Sequence, residues 1–310
     1  MSSAPSLSFE EAEDAAIVAL VRVGFSSKAN EAVQAGNYLT VELLDESGGV
    51  VKRLAERYPM AFGPHGTQIV ERRFPLSRAE FARLRSIQVA SVCLCGGSSA
   101  RKAFSARTVS EARRSLRAEQ AARAEQERIA AWRARFPVDD YSNTLLIGDS
   151  LMQNATSALQ MTLPGVDINA DAGRTLEKGG LVFERESPDA GVLDHVRSDD
   201  GSHERYVIGT GNNDAGGMSL EAAEEIVSCL GPDKEIYFIT EIVVGNPYGT
   251  EITNAAIDDV VSRYPNVHKI DWHGLVAGRE SEYLSDGTHA RPAREPDYAA
   301  CIKEGLDVVY

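Results

Sequence analysis

A chain of 310 residues with 43% apolar and 25% charged residues can bury at least one large core and has room for two domains. The longest apolar runs fall well short of the ~18 residues a spanning helix needs, and the acidic start lacks a basic-then-apolar leader, so no membrane insertion and a cytoplasmic location are expected. The net charge of -14 is uneven: residues 1–140 carry 20 Lys+Arg against 17 Asp+Glu, whereas residues 141–310 carry 12 against 29, a poor surface for nucleic acid or anionic lipid.

In chain order, the first hundred residues read as β-rich. "ALVRVGF" is a strand candidate. "NYLTVELLDESGGVV" alternates Leu39, Val41 and Leu43 against Thr40 and Glu42, then turns at Ser47-Gly48-Gly49, a hairpin pattern. "SIQVASVCLC" puts Ile87, Val89, Cys93 and Cys95 in one phase. A small β-sandwich-like domain over residues 1–105 is expected, without a chemical motif; its His65 sits in turn composition. Four cysteines (Cys93, Cys95, Cys229, Cys301) make no disulfide framework, and no second Cys or His pair completes four ligands, so no metal is expected.

From Thr108 to Phe136 the composition turns to Ala, Arg, Glu and Gln without Gly or Pro, which predicts a long helix ended by Pro137. Its apolar residues are sparse (Val109 and Leu116 adding little), so residues 106–137 read as a connector. An oligomer through residues 108–136 is left open.

After Tyr141 short apolar strands alternate with helical segments. The strands are "NTLLIG", "VDINA", "RYVIGT", "EIYFIT" and "NVHKID"; the helices lie around 151–163, 219–230, 253–264 and 297–306. That alternation is the signature of a doubly wound parallel sheet, over residues 138–310. Ligands of such sheets bind at the carboxyl ends of the strands. Gly148-Asp149-Ser150, Gly211-Asn212-Asn213-Asp214 and Asp286-Gly287-Thr288-His289 all follow strands, and so does Asp171-Ala172-Gly173-Arg174.

Acyl transfer by a serine requires a base beside the hydroxyl, a partner that orients the base, and pre-aimed donors for the oxyanion. Ser150 is the candidate nucleophile, His289 the base and Asp286 its orienter, with the Asn213 amide and the Ser150 and Gly173 N–H groups as donors. Asp149, Arg174 and Asp214 are candidate substrate-binding positions. Helix capping by Asp149 and a surface salt bridge by Arg174 are their structural alternatives. His203, with Asp200 three before it, is the rival base, but it enters a strand at the wrong end of the sheet. His195, His268 and His273 read as loop or surface residues, Trp272 as packing, and Tyr237, Phe238, Val243 and Val244 as core.

These blocks resemble the GDSL/SGNH hydrolase family. Gly148-Asp149-Ser150-Leu151 matches its first block, Gly173 its second, Gly211-Asn212-Asn213-Asp214 its third and Asp286-Gly287-Thr288-His289 its last. The resemblance implies a flavodoxin-like five-stranded parallel sheet, a Ser150–His289–Asp286 triad, and no metal or organic cofactor. A more specific resemblance is to the SGNH domains of membrane O-acyltransferases that acetylate surface glycans, carried by "INADAGRT" (168–175) and "KIDWHG" (269–274). No polytopic membrane domain like theirs is expected here, and that favours hydrolysis. The expectation is an esterase for small acyl esters, including O-acetyl groups on glycans. The alternatives are an O-acyltransferase fed by a partner, and a glycan-binding or assembly module with a vestigial catalytic domain.

Overall fold

The computed structural model describes residues 5–12, 17–26, 33–62, 67–93, 99–177, 181–182, 185–186, 191–214 and 216–310. His65, Cys95, Gly179 and Gly180 lie outside them. The chain divides into two compact units, Met1–Arg128 and Ile129–Tyr310.

The first unit contains β1 (Ser6–Glu11), β2 (Ile17–Ser26), β3 (Val33–Leu44), β4 (Val50–Phe62), β5 (Thr67–Leu76), a short helix α1 (Arg78–Arg83), β6 (Ser86–Cys93) and β7 (Ser99–Phe104). They form two sheets with strand orders β1-β2-β5 and β4-β3-β6-β7, antiparallel throughout. Leu39, Val41 and Leu43 of β3 join Ala19, Val21 and Val23 of β2 in one core, so the two sheets share a buried layer. The β3–β4 turn is built on Asp45, whose carboxylate accepts the Ser47 and Gly49 N–H groups at 3.1 and 2.8 Å. Gly48 supplies the left-handed residue with φ of 80°.

Helix α2 (Ala106–Arg135) is one uninterrupted element of 30 residues. Val109 and Leu116, expected to contribute little, are 1% and 4% exposed and belong to the core of the first unit with Ala112. Their i, i+3, i+7 spacing makes a short apolar stripe that a whole-helix average conceals.

The second unit is a five-stranded parallel sheet of β8 (Thr144–Gly148), β9 (Asp167–Ala170), β12 (Arg205–Gly209), β13 (Glu235–Ile239) and β14 (Val267–Ile270); the two-residue strands β10 (Leu181–Val182) and β11 (Arg185–Glu186) form a separate ribbon. The order β14-β13-β12-β8-β9 is the flavodoxin-like order, all pairs parallel. Helices α3 (Ser150–Asn154), α4 (Thr156–Thr162), α8 (Trp272–Val276) and α10 (Glu295–Asp307) cover one face; α5 (Val192–Ser198), α6 (Leu220–Leu230) and α7 (Pro247–Arg263) cover the other, and α9 (Glu280–Tyr283) precedes α10. Leu146, Val207, Tyr237 and Ile270 point into the first layer, and Ile147, Tyr206, Ile208 and Phe238 into the second. Burial on both faces is why these strands read as continuous apolar runs. The segment 151–163 is two helices, broken at Ala155, and α7 begins at Pro247, earlier than its apolar pattern.

Leu146 is fully buried in the middle of β8, whereas Met161 on α4 is 85% exposed. Leu146→Ala is expected to cost about 2–5 kcal/mol and Met161→Ala less than about 0.5 kcal/mol, read as midpoints of denaturant unfolding.

Candidate active site

The strand order reverses direction between β8 and β12, and the crevice at their carboxyl ends is where this architecture places ligands. β8 ends at Gly148 because helix α3 returns very close to it: a β carbon there would lie 2.9 Å from Met152 Cβ. Asp149 then caps α3, its Oδ1 accepting the Leu151 N–H at 3.0 Å. Ser150 is the first residue of that helix, where N–H groups have no intrahelical acceptor. Its Oγ lies 2.7 Å from His289 Nε2.

His289 stands on the loop between α9 and α10. Its Nδ1 is 2.7 Å from Asp286 Oδ2. The other oxygen, Oδ1, accepts the backbone N–H groups of Thr288 at 3.0 Å and His289 at 2.8 Å. Partial burial pushes the Asp286 carboxyl up. The His289 N–H, the imidazole and the Thr288 N–H outweigh that and hold its pKa at about 2. The loop closes on itself through a Leu284–Ala290 bridge and the Ser285 N–H donating to His289 O at 2.8 Å. Gly287, with φ of 90°, accepts the Val244 N–H at 2.8 Å.

The turn after β12 brings Asn212 and Asn213 to the buried Asp149. Asn212 Nδ2 donates to Asp149 Oδ2 at 3.1 Å. Asn213 Nδ2 donates to the Arg174 carbonyl at 3.0 Å and lies 3.4 Å from the same Oδ2. Gly173 adopts φ of 75° in a turn pinned to the end of β8 by Asp171, whose N–H donates to Gly148 O at 3.2 Å. Asp214 accepts the Leu176 N–H at 3.1 Å, anchoring the chain just past that turn. Burial pushes Asp149 to about 6 against the Leu151, Asn212, His289 and Arg174 contributions, and pushes Asp214 to about 6 as well.

Ser150, His289 and Asp286 therefore form one hydrogen-bonded line, with Asp149, Asn213 and the Arg174 backbone beside it. Arg174 itself is a correction to the surface-bridge alternative: it is 4% exposed, and its Nη1 donates to Asn169 O at 2.6 Å and Gly148 O at 3.1 Å, tying the ends of β8 and β9. His203 is 2.9 Å from Asp167, the first residue of β9, at the opposite end of the sheet from Ser150. His268 is not a surface residue; it is 3% exposed and lies 2.7 Å from Glu235 Oε2. The two residues sit on neighbouring strands, a proximity that spacing along one chain does not reveal. Val244 is 56% exposed rather than core. With Ile242, Val243, Pro247 and Glu251 it lines a cleft of about 650 Å³ next to the Asp286–His289 loop. Sequence reasoning missed Glu241, 4% exposed just after β13; its only signal was a carboxylate at a strand end.

No family model matches the chain. Over 148 residues it is 25% identical to O-acetyltransferase OatA of Staphylococcus aureus, a match that covers 48% of this chain and 22% of that protein. The matched segment thus spans about a fifth of the curated relative's length. Among solved structures, the C-terminal catalytic domain of Streptococcus pneumoniae peptidoglycan O-acetyltransferase A is 23% identical, with 53% of this chain and 91% of that one covered and a TM-score of 0.43. A Clostridium thermocellum family 3 carbohydrate esterase is 14% identical, with coverages of 52% and 93% and a TM-score of 0.39. The chain resembles the SGNH/GDSL hydrolases in its four blocks and in this sequence match.

Two carboxyls with pKa values raised from 3.8 to about 6 bind protons more tightly folded than unfolded. Their contribution is complete below pH 4 and is lost as pH rises through 6, on the order of 3 kcal/mol each. Asp286, held low, acts only below that window. The unfolding midpoint is expected to fall between pH 4 and 7, with a shallower slope in Asp214→Asn. A midpoint that climbs over this range in both proteins contradicts the assignment.

Proposed function

We propose that this chain is a serine esterase of SGNH/GDSL type, acting on small acyl esters, with O-acetyl groups on carbohydrates as its substrate class. The observation that carries the reading is the unbroken Ser150–His289–Asp286 line, with both hydrogen bonds at 2.7 Å, at the carboxyl end of a parallel sheet. The sequence match to an O-acetyltransferase supports the O-acyl chemistry.

In this mechanism Ser150 Oγ attacks the ester carbonyl carbon while His289 Nε2 takes its proton. Asp286, ionised above a pKa of about 2, fixes the Nδ1–H tautomer and stabilises the imidazolium. The carbonyl π electrons move onto oxygen. The oxyanion is met by the Ser150 and Gly173 N–H groups and by the Asn213 amide, whose longer contact to Asp149 is the one a substrate oxygen replaces. Collapse of the intermediate breaks the ester C–O bond, and His289 returns the proton to the departing alcohol. Water, deprotonated by His289, then attacks the acyl-serine and releases the acid and the free hydroxyl of Ser150. The steps use side chains and backbone N–H groups of this chain together with water.

A second reading, transfer of the acyl group to a glycan hydroxyl, is favoured by one observation: the matched relative is named an O-acetyltransferase. It needs an acyl donor delivered to Ser150 and uses the same residues.

Ser150→Ala should lower kcat on p-nitrophenyl acetate by about 10⁴-fold or more, and Asp286→Asn by about 10²–10⁴-fold. Undiminished turnover in Ser150→Ala sinks the assignment. Sugar acceptors separate the two readings: a transferase forms acylated sugar at the expense of free acetate, and an esterase does not.

A further inference from the structure

Glu241 is buried behind the site and has no part in the mechanism above. Its backbone is gripped by one side chain: Asn254 Oδ1 accepts the Glu241 N–H at 2.8 Å, and Asn254 Nδ2 donates to its carbonyl at 2.9 Å. The carboxyl so fixed runs beneath the 211–214 turn. A β carbon on Gly211 would lie 2.7 Å from Glu241 Oε1 and 2.9 Å from Oε2, so the carboxyl packs directly on that backbone. The Asn212 N–H and the Thr253 hydroxyl face it and favour its charged form, while Oε1 has no hydrogen-bond partner.

Asn212 thus lies between two carboxyls. Its side chain donates to Asp149, at the corner between β8 and α3, and its N–H faces Glu241, after β13. Asp149 and Asp214 secure neighbouring backbone, the start of α3 and the Leu176 N–H.

We propose that Glu241 is a positioning residue for the proposed oxyanion-binding turn, fixing the direction of the Asn213 amide through the Asn212 N–H and the packing beneath Gly211. The inference rests on the serine-esterase reading. Glu241 is buried, and the charges nearest to it in effect, Asp149 and Asp214, are of its own sign, which holds its carboxyl well above the ordinary range.

The test compares Glu241→Ala, Glu241→Gln and Glu241→Leu in the full chain, with p-nitrophenyl acetate kinetics and circular-dichroism melts. Removing the support is expected to lower kcat at least about tenfold in the Ala variant with KM changed less than about twofold, because the loss falls on the transition state. Gln keeps an acceptor and carries no charge, so its kcat should stay within about threefold of the parent. Should Ala not fold, Leu fills the space without an acceptor and takes its place, with the same expected loss. Parental kcat in the variant lacking an acceptor overturns the inference, as does a Gln variant as impaired as that one. Ser150→Ala is run alongside: if it is inactive, either failure belongs to Glu241 alone, and if it turns over normally the esterase reading falls and this inference with it.

Discussion

One buried carboxylate links the two halves of the crevice. Asp149 is 1% exposed, caps the helix that begins with Ser150, and takes the side-chain amides of Asn212 and Asn213 on its other oxygen. The strand end that carries the hydroxyl and the strand end that carries the amides are thus registered through a single residue. Burial disfavours its charged form, and the donors aimed at it offset part of that cost. Without those donors the carboxylate would be an expensive occupant of the core, so its presence and the geometry of both turns stand or fall together.

The neighbouring elements answer the same constraint. Gly148 lets α3 fold back onto β8, and Arg174 closes the carbonyl ends of β8 and β9 with its guanidinium. Arg174 is also the buried cation nearest this group of acids in its influence on Asp149. The strongly acidic second unit buries two arginines, Arg174 and Arg205, and Arg174 is the one that acts on Asp149.

The sheet was legible because its central strands are buried on both faces and therefore mostly apolar, with turn residues at each end. Three of the four blocks were legible because each directly follows a strand; the Asp286–His289 block stands further on, past α8 and α9. What was hidden depended on the third dimension. Arg174 looked like a surface cation because nothing in its neighbours along the chain announces two carbonyls from different strands. His268 and Glu235 stand 33 residues apart and meet only through strand pairing. Glu241 announced itself as one acid among many, and the grip of Asn254 on its backbone is visible only once α7 packs beside β13. The early start of α7 at Pro247 reflects a cap, the Asn246 side chain on the Gly249 N–H, rather than hydrophobic periodicity.

The loop from Leu284 to Ala290 has a consequence of its own. It holds the imidazole and its carboxylate by contacts almost entirely internal to seven residues, with Val244 as its tether to the cleft wall. The acid–base pair is in effect a cassette: its internal geometry does not depend on what lines the cleft beside it. Drift in Ile242, Val243 or Glu251 then reshapes that cleft without re-tuning the proton chemistry. An architecture divided this way lets the neighbouring surface evolve while the reacting groups stay as they are.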